Sequence, residues 1–377
     1  MPDSAETRIR LKVLIISYLG FISLGLPDTV LGVAWPEMRL DLNAPLAWAG
    51  LLTSLTTLIS FGASLAAVRL MKVLSTGGIL AACGLTTALA MLGYGLAQAL
   101  PVVVGFTLLF GIGQGAVDTA VNAHMARYYS SRHMNWVHGF WGLGATTGPM
   151  IFAAAFGLGQ GWRAGYMTLF GLQFTLALVF LLTLKWWRFP LSPNSDSDIN
   201  NHDNGAEANF RRTAFGVAFY FFYPGLEVVT GLWGASYLIE TAGLTPQEAG
   251  AALALYWGSL TLGRFAMGLA AGRFSNTVLI RAGLALASIG VLTIYLSPWP
   301  VLTIPALGHL GLGLSALYPS MMHETSRRCG PERLDKIISY QVGAALAGAA
   351  ILPALAGLWL RQAGLDNSPG PLIVITM

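Results

Sequence analysis

Long apolar runs alternate with short polar breaks along most of this chain. A helix needs about 20 apolar residues to cross a bilayer. Runs of that length fall near 11–36, 46–70, 76–98, 101–127, 134–158 and 164–187. A polar stretch follows, SPNSDSDINNHDNGAEANFRR, which is too poor in apolar surface to fold alone and reads as a flexible linker. Further runs lie near 213–240, 247–271, 276–296, 299–323 and 335–360. The pattern predicts six helical spans over 1–190, a linker over 191–212 and five spans over 213–377. After Gly370 there remains PLIVITM, too short to cross, so a twelfth helix reads as begun and cut short.

Composition agrees. The 377 residues are 55% hydrophobic and 10% charged, with a mean hydropathy of +0.62. A soluble domain carries about 25% charge, and a chain this apolar could not cover its own surface with polar groups. The net charge of +4 would suit nucleic acid, but the basic residues sit in loops between apolar runs, so no nucleic-acid partner is expected. Cys83 and Cys329 supply neither a disulfide framework nor metal-ligand spacing. The apolar run after MPDSAETRIRLK is too long for a signal-peptide core and lacks a clear cleavage site, so it reads as a retained first span.

Lysine and arginine in short loops set orientation. One set of span ends holds Arg8, Arg10, Lys12, Arg69, Lys72, Arg127, Arg132, Lys185, Arg188, Arg211, Arg212, Arg273, Arg281, Arg327, Arg328, Arg333 and Lys336. The opposite ends hold Arg39, Arg163 and Arg361. The bias places the N-terminus and the linker in the cytoplasm, as for a bacterial-type inner-membrane protein.

The two halves repeat. GLGLSALYPSMMHE from Gly311 echoes GIGQGAVDTAVNAH from Gly111, and GLEVVTGLW from Gly225 echoes LPDTVLGVAW from Leu26, both at an offset of about 200. The second echo sets Glu227 against Asp28. RLMK at the end of the second span matches AAGRFS at the end of the eighth. Internal symmetry of this kind marks secondary transporters, which bind substrate near the midplane between repeats.

Three acids lie inside spans: Asp28, Asp118 and Glu227. A bare carboxylate at the bilayer centre costs at least a few kcal/mol, so three of them imply work. One that titrates near working pH carries a proton, and the same group accepts hydrogen bonds from substrate hydroxyls. Asn122 shares a helix face with Asp118 at i+4. Each acid could instead pin a neighbouring helix. His138, opening the fifth span, could relay a proton or gate the cavity, or simply pack. Arg264, near the end of the eighth span, could hold a gate by pairing with an acid or with helix-end carbonyls. Gln114 and Gln341 could bind substrate hydroxyls or bridge helices. Among Trp35, Trp141, Trp233, Tyr220, Tyr256 and Trp257, the favoured candidates for sugar stacking are Trp233 and Tyr256. His124, His309 and His323 have no metal-like partners, and no metal site is expected. Glycines in GLGATTGP and GAALAGAAILP let spans five and eleven pack closely, and Pro149 and Pro353 bend them.

GQGAVDTAVNAHMA resembles the helix-4 signature of the fucose–galactose–glucose:proton symporter family of the major facilitator superfamily. FYPGLEVVTGLWGASYL resembles its helix 7, NWVHGFWGLGATTGP its helix 5 and YWGSLTLGRFAMG its helix 8. The resemblance covers most of the chain. It implies an all-α major facilitator fold of two pseudo-symmetric six-helix halves, with the cavity lined by helices 1, 4, 7 and 10. It further implies that Asp28 and Asp118, which matches a glutamate in the family's L-fucose symporter, handle proton and substrate. Asn122 matches the helix-4 asparagine and Glu227 the helix-7 acid.

The expected function is symport of a proton with a small polyhydroxylated solute, with sugar the leading guess. The expected mechanism is alternating access by a monomer, with the proton gradient as energy source and no cofactor. An exporter of amphipathic compounds and a non-transporting receptor or scaffold are the alternatives. No P-loop, HExxH or nucleophile elbow is present, so neither an ATPase nor another enzyme is expected.

Overall fold

The structure is a computed structural model. It describes residues 4–129, 131–188, 210–270, 274–296, 302–318, 320–321, 325 and 331–363. The linker expected over 191–212 falls largely outside these residues, and His323 and the PLIVITM run lie wholly outside them. The main elements are α1 (Ser4–Asp28), α2 (Leu31–Asp41), α3 (Trp48–Leu70), α4 (Thr76–Leu96), α5 (Leu100–Tyr128), α6 (Ser131–Gly157) and α7 (Gly161–Leu182). A short 3-10 turn, Leu184–Arg188, follows. Then come α8 (Phe210–Ala242), α9 (Pro246–Ala270), α10 (Asn276–Leu296), α11 (Thr303–Ser315) and α12 (Pro331–Ala363). Eight stretches among the described residues are long and apolar enough to cross a membrane.

The chain divides into two compact units, residues 1–44 with 55–197, and 45–54 with 198–377. In the first, α1 packs on α6, and α4 on α5 and α7. In the second, α8 packs on α12, and α11 on α9 and α10. The repeat seen in sequence is built into these crossings. A Cβ on Gly111 would meet the Thr56 carbonyl at 2.9 Å, and one on Gly311 would strike the Tyr256 carbonyl. Gly113 seats against Thr87 and the Cys83 carbonyl, and Gly313 against Ala287 and the Gly283 carbonyl. Each pair is related by the same shift of about 200 positions. Glycine is needed there because a Cβ would meet the neighbouring backbone at Gly311 and Gly313, and a close-packed side chain first at Gly111 and Gly113.

The first apolar run departs from the expected single helix. It breaks over Thr29 and Val30, leaving Asp28 as the last residue of α1. Pro27 has no N–H, so the Ser23 carbonyl one turn back loses its helical donor. Gln173 of α7 supplies one through Nε2 and accepts from the Ser23 hydroxyl in return. Pro149 likewise strips the donor from the Ala145 carbonyl, and the Thr29 hydroxyl fills it at 2.7 Å. The break and the α6 proline are therefore mutually satisfied, as buried carbonyls require.

Polar clusters tie both ends of the first unit. At the end nearer the N-terminus, Arg10 donates to the Tyr128 carbonyl at 2.7 Å, and the Tyr129 hydroxyl donates to the Arg10 carbonyl at 2.8 Å. At the other end Arg163 pairs with Asp41 at 2.6 Å, donates to the Ala97 carbonyl at 3.1 Å and stacks on Trp162.

Candidate functional site

The three intramembrane acids have different surroundings. Asp118 is an exposed side chain on α5 that accepts from Asn122 Nδ2 at 3.0 Å. The i, i+4 spacing alone brings the two together. Asn122 Oδ1 is buried and has no partner. Gln114, one turn before Asp118, donates to the Leu24 carbonyl of α1 at 3.2 Å.

That contact fixes a register. Leu24 lies level with Gln114, and Arg10 with Tyr128, so α1 and α5 run antiparallel. Asp118 is then level with Gly20, and Asp28 with Phe110. At a rise of about 1.5 Å per residue, the two acids are separated by roughly 12 Å along the helix axes. Asp28 is exposed at the helix break. Asp118 and Asp28 thus occupy two levels of the first unit.

The second unit fills the equivalent level differently. The residue matching Asp118 is Tyr318, and the residue matching Gly20, by the shift that sets Glu227 against Asp28, is Phe219. Tyr318 meets Tyr220, the neighbour of Phe219, edge to face at 5.1 Å, and the Tyr220 hydroxyl lies 3.3 Å from the Tyr318 carbonyl. The carboxylate of the first unit is replaced at this position by an aromatic ring packed against another.

Glu227 is buried on α8 and bound on several sides. Arg264 Nη2 from α9 lies 3.2 Å from each of its carboxylate oxygens. The Tyr223 hydroxyl, one turn back, is 2.7 Å from Oε2 and 3.1 Å from the Leu314 carbonyl, and the shorter contact takes its proton. The Tyr256 hydroxyl reaches the Glu227 backbone carbonyl at 3.3 Å. The result is a charge-neutral cluster linking α8, α9 and α11. Of the two pairings considered for Arg264, with an acid or with helix-end carbonyls, the structure provides the acid.

Other sequence candidates take packing positions. Trp233 is 2% exposed and donates to the Pro353 carbonyl at 3.0 Å. Tyr256 is 0% exposed, so neither ring offers an open face for stacking. Trp35, Tyr220 and Trp257 are also buried. Gln341 is buried and donates to Thr325 at 2.9 Å, and Gln114 bridges α5 to α1. Both amides are therefore engaged in joining segments of their own unit. His138 is exposed and edges against Phe21 of α1 at 5.3 Å. His309 Nδ1 sits 2.8 Å from the Pro305 carbonyl.

Sequence reading missed Tyr223, whose position four residues before Glu227 was the available signal. It also missed Gln173 and Thr29, which could have been sought as donors for carbonyls freed by Pro27 and Pro149. Among the described residues, no group of His, Cys, Asp and Glu could hold a metal ion.

A family model described as Major Facilitator Superfamily matches residues 17–226. No curated protein matches the chain significantly. Among solved structures, a point mutant of the nucleoside transporter NupG is similar at a TM-score of 0.74 with 16% identity, over 98% of this chain and 96% of that one. A D-xylose–proton symporter is similar at 0.73 with 12% identity, over 97% and 95%. A peptide transporter, POT, is similar at 0.71 with 13% identity, over 100% and 97%.

Proposed function

Since this chain belongs to the Major Facilitator Superfamily, we propose that it is a proton-coupled symporter of a small polyhydroxylated solute, with a sugar as cargo. The family makes it an integral membrane transporter and not an enzyme. Within the superfamily we place it in the fucose–galactose–glucose:proton symporter branch, on the helix 4, 5, 7 and 8 motifs. We take it to be a monomer in an inner membrane with a cytoplasmic N-terminus, on the basic bias of its loops.

The observation that carries the coupling role is the contrast between two acids. Glu227 has its charge balanced by Arg264. Asp118, exposed within an apolar span, is met by a neutral amide. A carboxylate with a neutral partner changes the net charge of its surroundings each time it takes or loses a proton, and a neutral, protonated form crosses an occluded state without the cost of a bare ion. Asp118 is accordingly the proton carrier. Asp28, on its own level at a broken helix, contributes acceptors for substrate. Discontinuous helices of this kind supply binding groups in secondary transporters, which work by alternating access. The Glu227, Tyr223 and Arg264 cluster offers donors and acceptors that sugar hydroxyls can exchange with. His138 and Arg264 remain the candidate relay and gate.

The test is internal pH in proteoliposomes while sugars are added one at a time. Acidification with one sugar, lost in Asp118→Asn, is expected. Silence across a broad panel, with efflux of amphipathic compounds instead, would overturn the reading.

A further inference from the structure

A cavity of about 370 Å³ opens in the first unit away from the intramembrane acids. Its walls are α1, the connection from α3 to α4, the last turns of α5 and the 3-10 turn after α7. Lys72 and Arg127 line it, and among the described residues no Asp or Glu does. Lys12 Nζ stands 5.0 Å above the ring of Trp186, another lining residue. The charged side chains described around it are therefore all positive.

The wall also carries unused hydrogen-bonding capacity. His124 Nε2 and Trp187 Nε1 are both buried without a partner, and both residues line the cavity. An indole N–H can only donate. Leaving such a group unsatisfied costs about 1–3 kcal/mol, which a bound acceptor would offset. Ser75 and Thr76, at the N-terminus of the 21-residue α4, face the same space, adding a partial positive charge. Cations and donors without carboxylates select an acceptor-only anion. Trp186 and Trp187 mark the level at which aromatic residues meet lipid headgroups, and basic pockets between transmembrane helices are suited to anionic headgroups.

We propose that this cavity binds a phosphate group carried by an anionic phospholipid. Lys72 and Arg127 hold the phosphate oxygens, His124 and Trp187 donate to them, and Trp186 flanks the headgroup. The proposal stands apart from the transport reading, since neither the substrate nor the coupling ion enters it.

The test compares thermal unfolding of the purified full chain with added phosphatidylglycerol, phosphatidylcholine or inorganic phosphate. Phosphatidylglycerol should raise the midpoint more than phosphatidylcholine, and the gain should fall by at least half in Lys72→Gln/Arg127→Gln. Inorganic phosphate matching phosphatidylglycerol would keep the anion site but overturn its lipid source. Equal gains from both lipids, unchanged in the variant, would overturn the site. Should that variant fail to fold, quenching of tryptophan fluorescence by brominated phosphatidylglycerol decides. It should drop in Trp186→Phe/Trp187→Phe, and undiminished quenching there would overturn the proposal.

Discussion

Arg264 Nη2 stands equidistant, at 3.2 Å, from the two carboxylate oxygens of Glu227. The pair crosses from α9 to α8 in a setting where neither side chain is well hydrated. Two charges taken out of water are costly, and their attraction offsets that cost when the remaining atoms are satisfied as well. Tyr223 does part of this from one turn away on α8. The cluster is therefore a unit, in which removing one member strands another.

Stability should report that unit. Glu227→Gln leaves a largely covered guanidinium without its counter-ion, and Arg264→Gln leaves a buried carboxylate. Each single change should destabilise by about 3–5 kcal/mol. The double change Glu227→Gln/Arg264→Gln should recover a substantial part, since no bare charge remains. Thermal unfolding in detergent checks this, and fully additive losses would refute a coupled pair.

Asp118 calls for a different readout. Its partner Asn122 is neutral, so Asp118→Asn strands no charge, and the variant should fold at near wild-type yield. Wild-type uptake should rise as the external pH falls, because loading needs the protonated carboxyl. In Asp118→Asn, concentrative uptake should vanish and the pH dependence should flatten, while substrate exchange across equal concentrations persists. Radiolabelled uptake and counterflow in proteoliposomes separate the two, and concentrative uptake at wild-type level would remove Asp118 from the coupling role.

The apolar runs made the spans legible, and the shift of about 200 positions made the repeat legible, because both are one-dimensional. The break at Thr29 was not, since Pro27 and Pro36 are tolerated inside the helices on either side of it. What stops the helix there is settled by donors arriving from other elements. Asp118 with Asn122 could be read from an i, i+4 spacing. Glu227 with Arg264 could not, because the partners sit 37 positions apart on two helices. The covered faces of Trp233 and Tyr256, candidates for stacking by residue type, were out of reach for the same reason. Composition reveals an aromatic ring, but only packing decides whether the ring face is covered.

The donor exchange around Pro27 yields a rescue experiment. Gln173→Leu removes both the donor to the Ser23 carbonyl and the acceptor of its hydroxyl. An unsatisfied buried group costs about 1–3 kcal/mol, and the variant should lose stability of that order. Pro27→Ala restores a backbone N–H one turn ahead of Ser23. The double variant should therefore be more stable than Gln173→Leu alone, as read by thermal unfolding. No rescue would mean that the Ser23 carbonyl is not the group Gln173 serves.

A second rescue tests the repeat at a helix crossing. A Cβ at Gly113 would collide with the Thr87 hydroxyl of α4, whereas the Thr87 Cβ would stand 3.4 Å away. The obstruction is thus one oxygen atom, with the Cys83 carbonyl at 3.1 Å as a secondary contact. Gly113→Ala should destabilise by roughly 1–3 kcal/mol, the usual cost of overpacking. Thr87→Ala deletes the oxygen and should return most of that loss. The counterpart in the second unit should behave otherwise. A Cβ at Gly313 would strike backbone, the Ala287 nitrogen and the Gly283 carbonyl. No side-chain deletion in α10 relieves a backbone clash, so Gly313→Ala should be the more damaging change and should resist rescue by Ala287→Gly. Folded yield and unfolding midpoint for the four variants decide the matter. Equal rescue at both crossings would show that the units differ less at this contact than their side chains suggest.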